Sequence, residues 1–246
     1  MEKVSIVTPS FNVSTTISLT IESVQNQSYQ NWELIIVDDN STDLSAEIVE
    51  VASKADPRIK LIRLSKNSGP AVARNTAIRI SNGRYIAFLD ADDLWSPKKL
   101  EKQINFMRSK NIPFSFTWYQ VIDCFGHFLR EVKCSDLEIS YNQLLRSNEI
   151  GCLTAVYDTK IIGKRFMPLV RKRQDYGLWL NILKSGNSAV CLPEVLASYR
   201  LVSDSISSNK FSLIKHNWRL FRDVEGFGHL ISIYYILWNI YRKFIK

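Results

Sequence analysis

The stretch Tyr85-Ile-Ala-Phe-Leu-Asp-Ala-Asp-Asp-Leu-Trp95 decides how the rest of the chain is read. Five mostly apolar residues run directly into three carboxylates, Asp90, Asp92 and Asp93. An apolar run of this length, bounded by polar residues, predicts a strand buried on both faces, with the acids just beyond its C-terminal end. Carboxylates so close repel one another unless a cation or a set of donors compensates. A hard divalent ion is the simplest compensation, because Mg2+ and Mn2+ prefer oxygen ligands. Mg2+ is commonly held by one or two carboxylates, with substrate phosphates completing its shell. The same residues also suit an acidic turn before a helix, with Ser96 as cap and Pro97 in the first turn. Spacing alone leaves both readings open.

Working outward, strand and helix signals alternate. Val4 to Thr8 predicts a short strand, followed by the turn Pro9-Ser10-Phe11-Asn12 and a helix carrying Ile17, Ile21 and Val24. Glu33 to Val37 predicts a second strand that ends in Asp38-Asp39-Asn40. Ser41-Thr42-Asp43 opens a second helix, with Leu44, Ile48 and Val51 expected on its inner face. Lys60 to Leu64 is a third strand, and Gly69-Pro70 opens a helix containing Arg74, Asn75 and Ile78. After Pro97 a further helix buries Leu100, Ile104 and Met107. Four such alternations within about the first 110 residues predict an α/β fold with a Rossmann-like, mostly parallel central sheet flanked by helices. Ligands of such sheets bind beyond the carboxyl ends of the strands. The Pro9–Asn12 turn, the Asp38-Asp39 pair and the Asp90–Asp93 cluster should therefore converge. Gly69-Pro70 adds a helix N-terminus suited to phosphate, and Arg74 adds charge.

Past Lys110 the rhythm changes. Phe114 to Asp123 and Phe128 to Val132 predict aromatic-rich strands, Tyr141 to Arg146 a short helix and Gly151 to Tyr157 another strand. Arg171-Lys172-Arg173-Gln174-Asp175 precedes a helix with Tyr176, Trp179, Leu180 and Leu183, and Leu196 to Arg200 reads as a strand before a serine-rich loop to Ser208. Residues 1–215 are read as one domain, with a nucleotide half (1–110) and an acceptor-side half (111–215). Residues 216–246 form a helical, aromatic and basic tail.

The 246 residues are 46% hydrophobic, ample for one well-packed core, and carry a net charge of +8. That charge suits nucleotide phosphates, nucleic acid or an anionic membrane without choosing among them. Cys124, Cys134, Cys152 and Cys191 show no metal-like spacing and read as reduced thiols of a cytoplasmic protein; a Cys124–Cys134 bridge is the less favoured option. The N-terminus enters a strand pattern at Lys3 without signal-peptide design. No Gly-x-Gly-x-x-Gly or P-loop follows the first strand, which disfavours a dinucleotide dehydrogenase and a P-loop NTPase. A nucleotidyltransferase making NDP-sugars would carry a glycine-rich turn where Pro9–Asn12 stands. A nucleic-acid binder leaves acids at three strand ends unexplained, so no nucleic-acid partner is expected.

Five segments carry a family resemblance: Val4–Asn12, Ile36–Asp43, Gly69–Asn75, Asp90–Asp93 and Gln174-Asp175, in the same order and spacing. Together they resemble family 2 glycosyltransferases, inverting enzymes of the GT-A fold, over about residues 1–210. Gly69–Ile78, Tyr85–Trp95 and Ile150–Thr154 look most like bacterial transferases that build teichuronic acids, capsules or O-antigens. The resemblance implies a UDP-sugar donor, a glycan or lipid-linked acceptor, and Mg2+ or Mn2+. It implies that Pro9, Ser10 and Phe11 line the nucleoside, that Asp39 bonds the uracil ring and that Arg74 lies at the nucleotide. Asp90 and Asp92 match the Asp-x-Asp motif holding ribose and the metal diphosphate, with Asp93 as an alternative metal ligand. Asp175 matches the catalytic base; by pattern alone it would read as a cap before Tyr176.

This chain departs from the family in having Gln174 where Glu is frequent, and Val202 where many members place a histidine. The run Lys164-Arg165 with Arg171-Lys172-Arg173 reads as a solvated face that could meet an anionic acceptor. The tail segment Phe227 to Tyr241 is too short to cross a bilayer. It is expected either to dock as a final core helix or to lie in the membrane interface, giving peripheral attachment to the inner face of the membrane.

Overall fold

The computed structural model describes residues 1–201 and 210–245. The expected serine-rich loop and Val202 lie outside the described residues. The first half follows the predicted alternation: β1 (Val4–Ser10), α1 (Ile17–Gln25), β2 (Trp32–Asp38), α2 (Ser45–Ala55), β3 (Ile59–Arg63), α3 (Pro70–Ile80), β4 (Tyr85–Phe88), β5 (Leu94–Trp95) and α4 (Lys99–Ser109). The second half contributes β6 (Phe114–Ile122), β7 (Phe128–Val132), β8 (Glu138–Ile139), α5 (Tyr141–Arg146), β9 (Val156–Asp158), α6 (Thr159–Ile162), α7 (Gln174–Leu183), β10 (Ala189–Arg200), α8 (Lys210–Arg219) and α9 (His229–Ile245).

One ten-stranded sheet runs through both halves in the order β3-β2-β1-β4-β9-β6-β10-β5, with β7 beside β6 and β8 beside β10. β3, β2, β1 and β4 are parallel. Short β9 runs antiparallel between β4 and β6, and β6 pairs parallel with β10. The strands are apolar on both faces because both faces are covered. Val7, Ile35, Val37, Ile86 and Phe88 join one core; Ile6, Leu34, Ile36, Tyr85, Ala87 and Leu89 join the other. Trp179 of α7 is wholly buried against Phe88 and Phe114, with ring centroids 5.2 and 5.1 Å apart. Burying a side chain of that size stabilises the fold by about 2–3 kcal/mol.

Several expected elements shift. Gly151 to Tyr157 is not one strand: Cys152–Thr154 form a 3-10 turn, and only Val156–Asp158 pair with β4. α4 begins at Lys99, so Ser96 is not its cap. Ser96 instead offers its carbonyl to Gln27 and to the amide of Lys99. α2 begins at Ser45, so its buried face is Ser45, Ala46 and Val49; Leu44 and Val51 are exposed. All four cysteines are free thiols.

The division expected at residue 215 falls inside α8. A π-helical turn over Leu220–Val224 follows, and Leu220, Phe221 and Ile236 join the same core as β4 and α7. Tail and sheet are one packed body. α9 docks through Ile236 and through Asn239, whose amide donates to the Leu145 carbonyl at 2.9 Å. Its other face exposes Leu230, Ile231, Ile233, Tyr234, Leu237 and Tyr241. Among the described residues no helix is long and apolar enough to cross a membrane.

Candidate active site

The C-terminal ends of β1, β2 and β4 and the N-terminus of α3 open onto one cleft of about 1120 Å³. Pro9, Ser10, Phe11, Asp39, Arg74, Asp90 and Asp92 all line it. Residues from four sequence-distant segments thus meet as the parallel topology requires. Asp93 and Asp175 are not in that lining.

One end of the cleft is fixed by interlocked turns. Asn12, at a φ of 51°, accepts from the Thr42 amide at 2.9 Å and donates its own amide to Ser41. Asp43 accepts from the amides of Ser14 and Ser45. Burial alone would raise the Asp43 pKa, but these donors and the Ser45 hydroxyl hold it at about 2. Asp38 receives the amide and hydroxyl of Ser41. In sequence Asn12 and Asp43 read only as turn and helix-start residues; their polarity next to two strand ends is the one signal of this interlock. Asp39 accepts from the amides of Ser68 and Gly69, both at 2.7 Å, which ties the end of β2 to the start of α3. Gly69 takes a φ of 89°, which suits glycine, and Pro70 occupies the first turn. The Ser10 hydroxyl is buried and has no hydrogen-bond partner among the described residues.

At the acid turn, Arg74 Nη2 pairs with Asp90 at 2.5 Å and Nη1 donates to Gln174 Oε1 at 3.2 Å. Burial opposes the Arg74 charge, yet Asp90 overrules it and raises the guanidinium's pKa; Asp175 contributes in the same direction. Gln174 reaches Arg74 without adding a charge, so Asp90 remains the paired carboxylate. Asp175 lies in the first turn of α7, whose N-cap is Arg173, so it is not a cap. The turn itself is held from two sides. Thr16 and Thr20 of α1 donate to the Ala91 carbonyl, and Thr20 also reaches that of Asp93. From β10, Arg200 donates its amide to Asp93 and its Nε to the Asp92 carbonyl.

Asp93 is only 1% exposed and turned to Arg200. Burial, then Asp92 and Asp90, push its carboxyl well above the usual range. Asp92 faces the cleft, and burial and the Asp90 charge push it up to about 6. Among the described residues no three His, Cys, Asp or Glu side chains form a metal cage. One or two carboxylates beside a cleft of this size fit an ion carried partly by its substrate. That donor set suits Mg2+ or Mn2+ through Asp92, with Asp90 beside it.

The cleft lining also carries a basic cluster. Arg171 and Lys172 from the loop before α7 and Lys215, His216 and Arg219 from α8 make it up. Burial and then the charges of Lys172, Arg219, Lys215 and Arg171 lower the His216 pKa. Lys164 and Arg165, read with them in sequence, are instead tied to backbone carbonyls of Arg79, Ser81 and Ile162.

A parallel βα half and a mixed half that share one sheet and meet at an acid-lined cleft define the GT-A class of nucleotide-sugar transferases. Residues 5–167 match glycosyl transferase family 2. The chain belongs to that family and is a glycosyltransferase. It is 45% identical over 222 residues to the teichuronic acid biosynthesis glycosyltransferase TuaG of Bacillus subtilis (strain 168), covering 90% of this chain and 88% of that one. It is 44% identical over 239 residues to WfgD of Escherichia coli, covering 95% and 90%. WfgD is named as a UDP-Glc:alpha-D-GlcNAc-diphosphoundecaprenol beta-1,3-glucosyltransferase. Among solved structures, Staphylococcus aureus TarS 1–349 in complex with UDP-GlcNAc has a TM-score of 0.73 at 17% identity, covering 96% of this chain and 70% of that one. The mannosyltransferase PcManGT of Pyrobaculum calidifontis, in complex with GDP-Man and Mn2+, has a TM-score of 0.72 at 19% identity, covering 95% and 69%.

Proposed function

We propose that the protein is a metal-dependent, inverting glycosyltransferase. It moves a sugar from a UDP-sugar to a lipid-linked glycan in surface polysaccharide synthesis, at the cytoplasmic face of the membrane. The observation that carries this reading is the convergence of Asp39, Arg74, Asp90 and Asp92 in one cleft. The names of TuaG and WfgD support the substrate class.

Pro9, Ser10 and Phe11 line the nucleoside, and Asp39, fixed by Ser68 and Gly69, accepts the imide N–H of uracil. Asp90 turns Arg74 toward the diphosphate end. Asp92, with Asp90, would hold Mg2+ or Mn2+; when bound, the ion stabilises the negative charge of the departing diphosphate. Asp175 takes the proton of the acceptor hydroxyl as that oxygen attacks the anomeric carbon. Attack from the side opposite UDP inverts the centre. The exposed apolar face of α9, with Arg146 over Trp238, supports peripheral contact with anionic lipid.

The test is a panel of UDP-sugars assayed for Mn2+-dependent transfer and hydrolysis, with NMR of the product's anomeric configuration. Asp175→Asn should keep UDP affinity and lose about 10²–10⁴-fold in turnover. Retention of configuration, or near-normal turnover in that variant, would refute the assignment.

A further inference from the structure

The donor reading uses the acidic side of the cleft and leaves the basic side without a task. Lys215, His216 and Arg219 lie on one face of α8, whose other face buries Asn217. Arg171 and Lys172 converge on them from a segment more than forty residues earlier. No ion pair among the described residues engages Arg171, Lys215 or Arg219. Arg171, Lys215 and Arg219 held close together repel one another, and a bound anion offsets that cost. The donor does not call for them, since a divalent ion matches the two charges of a nucleotide diphosphate and Arg74 is already paired with Asp90. Guanidinium forks and ammonium groups together suit phosphate oxygens.

We infer that this wall binds the diphosphate of an isoprenoid-linked acceptor, so that one cleft takes two diphosphates, the donor's on the acidic side and the acceptor's on the basic side. The inference rests on the glycosyltransferase reading above and adds a recognition element to it. Acceptor selection would then depend on the anionic linker as well as on the sugar.

The experiment titrates inorganic pyrophosphate, farnesyl diphosphate and farnesol into the full chain already saturated with UDP and Mn2+. The two diphosphates should bind and farnesol should not. The variant Arg171→Gln/Lys215→Gln/Arg219→Gln should weaken diphosphate binding by about tenfold or more and leave UDP–Mn2+ affinity within about twofold, which also reports that it is folded. Diphosphates that bind only when UDP is absent, or a variant that loses UDP–Mn2+ affinity by the same factor, would assign the wall to the donor and overturn the inference. Equal binding of farnesol overturns it too, as does diphosphate binding unchanged in the variant. No diphosphate binding while UDP–Mn2+ binds overturns it alone. Failure of UDP–Mn2+ to bind the parent protein overturns the underlying reading, and the inference with it.

Discussion

The amide of Arg200 donates to Oδ1 of Asp93 at 2.9 Å, from a strand 107 residues further along the chain. Its guanidinium donates to the carbonyls of Asp92 at 2.9 Å, Cys124 at 3.1 Å and Asp123 at 3.3 Å. One buried side chain therefore joins the acid turn to the end of β6. Arg200→Ala should cost about 2–3 kcal/mol, because three part-buried carbonyls lose a charged donor. It should also weaken UDP–Mn2+ binding under conditions where the variant is folded. Arg200→Lys should recover only part of both, since an ammonium cannot span the three carbonyls. Urea denaturation with a UDP–Mn2+ titration checks this, and unchanged stability in Arg200→Ala would count against the clamp.

Asp92 sets a pH dependence. Its carboxyl sits at about 6, so protons compete with the metal there. Mn2+-dependent UDP affinity should be full near neutrality and fall as the pH drops through that value. For the ligand-free protein the sign is opposite. A raised carboxyl pKa gives stability that is present below the unfolded value of about 3.9 and lost as pH rises through the folded one. Asp92→Asn should therefore abolish metal-dependent binding yet stabilise the ligand-free protein at neutral pH by about 1 kcal/mol. Calorimetry of UDP binding across pH, with thermal unfolding of both proteins, measures each part.

Glu33 works in the other direction, at the opposite end of the strands. Burial would raise its pKa, but Lys60, Ser5, the Asn82 amide and Lys3 hold it at about 2. Its side chain is 1% exposed and accepts from Ser5 at 2.6 Å, Lys60 at 2.8 Å and Asn82 at 2.8 Å. A depressed carboxyl pKa contributes stability above the unfolded value near 4.3, lost as pH falls toward the folded one. Glu33→Gln should cost about 2–3 kcal/mol at pH 7 and flatten the acid limb between about pH 4.5 and 2. An unfolding series that shows the same acid limb in both proteins would contradict this.

α9 calls for side-chain changes and not for truncation, because Ile236 and Asn239 close the core. Leu230→Ser/Leu237→Ser/Tyr241→Ser alters exposed positions only. It should leave the melting temperature within about 2 °C and abolish flotation with anionic vesicles. Equal flotation of the variant would remove α9 as the contact. Truncation before Gly226 should unfold the chain whatever the membrane does.

Much of this site is legible in the sequence, for local reasons. A buried strand announces itself by an unbroken apolar run, and its end by the first charge, so pattern places the Asp38-Asp39 pair and the Asp90–Asp93 cluster, and the family resemblance chooses among them. What pattern does not carry is long-range partnership. Asp93 reads like Asp92 until Arg200 turns it inward. The phase of α2 differs from the sequence pattern because Ser41–Asp43 forms a turn locked to Asn12 and Ser14, delaying the helix to Ser45. The basic cluster is legible only in pieces, as the run Arg171–Arg173 and a basic tail; its meeting with acids from residues over a hundred positions away has no local signal.

The antiparallel insertion of β9 has a consequence for synthesis. β4 pairs with β1 on one side, but its other neighbour is residues 156–158. While the chain grows, Tyr85 to Phe88, all buried in the finished protein, form an open apolar edge until those residues leave the ribosome. Such an edge recruits foreign strands. Nascent chains stalled at residue 140 should therefore aggregate or hold chaperones more than chains stalled beyond residue 200, where β9 has emerged; equal behaviour would show that the edge is protected by other means. The strand that delivers the acids to the cleft is thus also open to misassembly before the protein is complete.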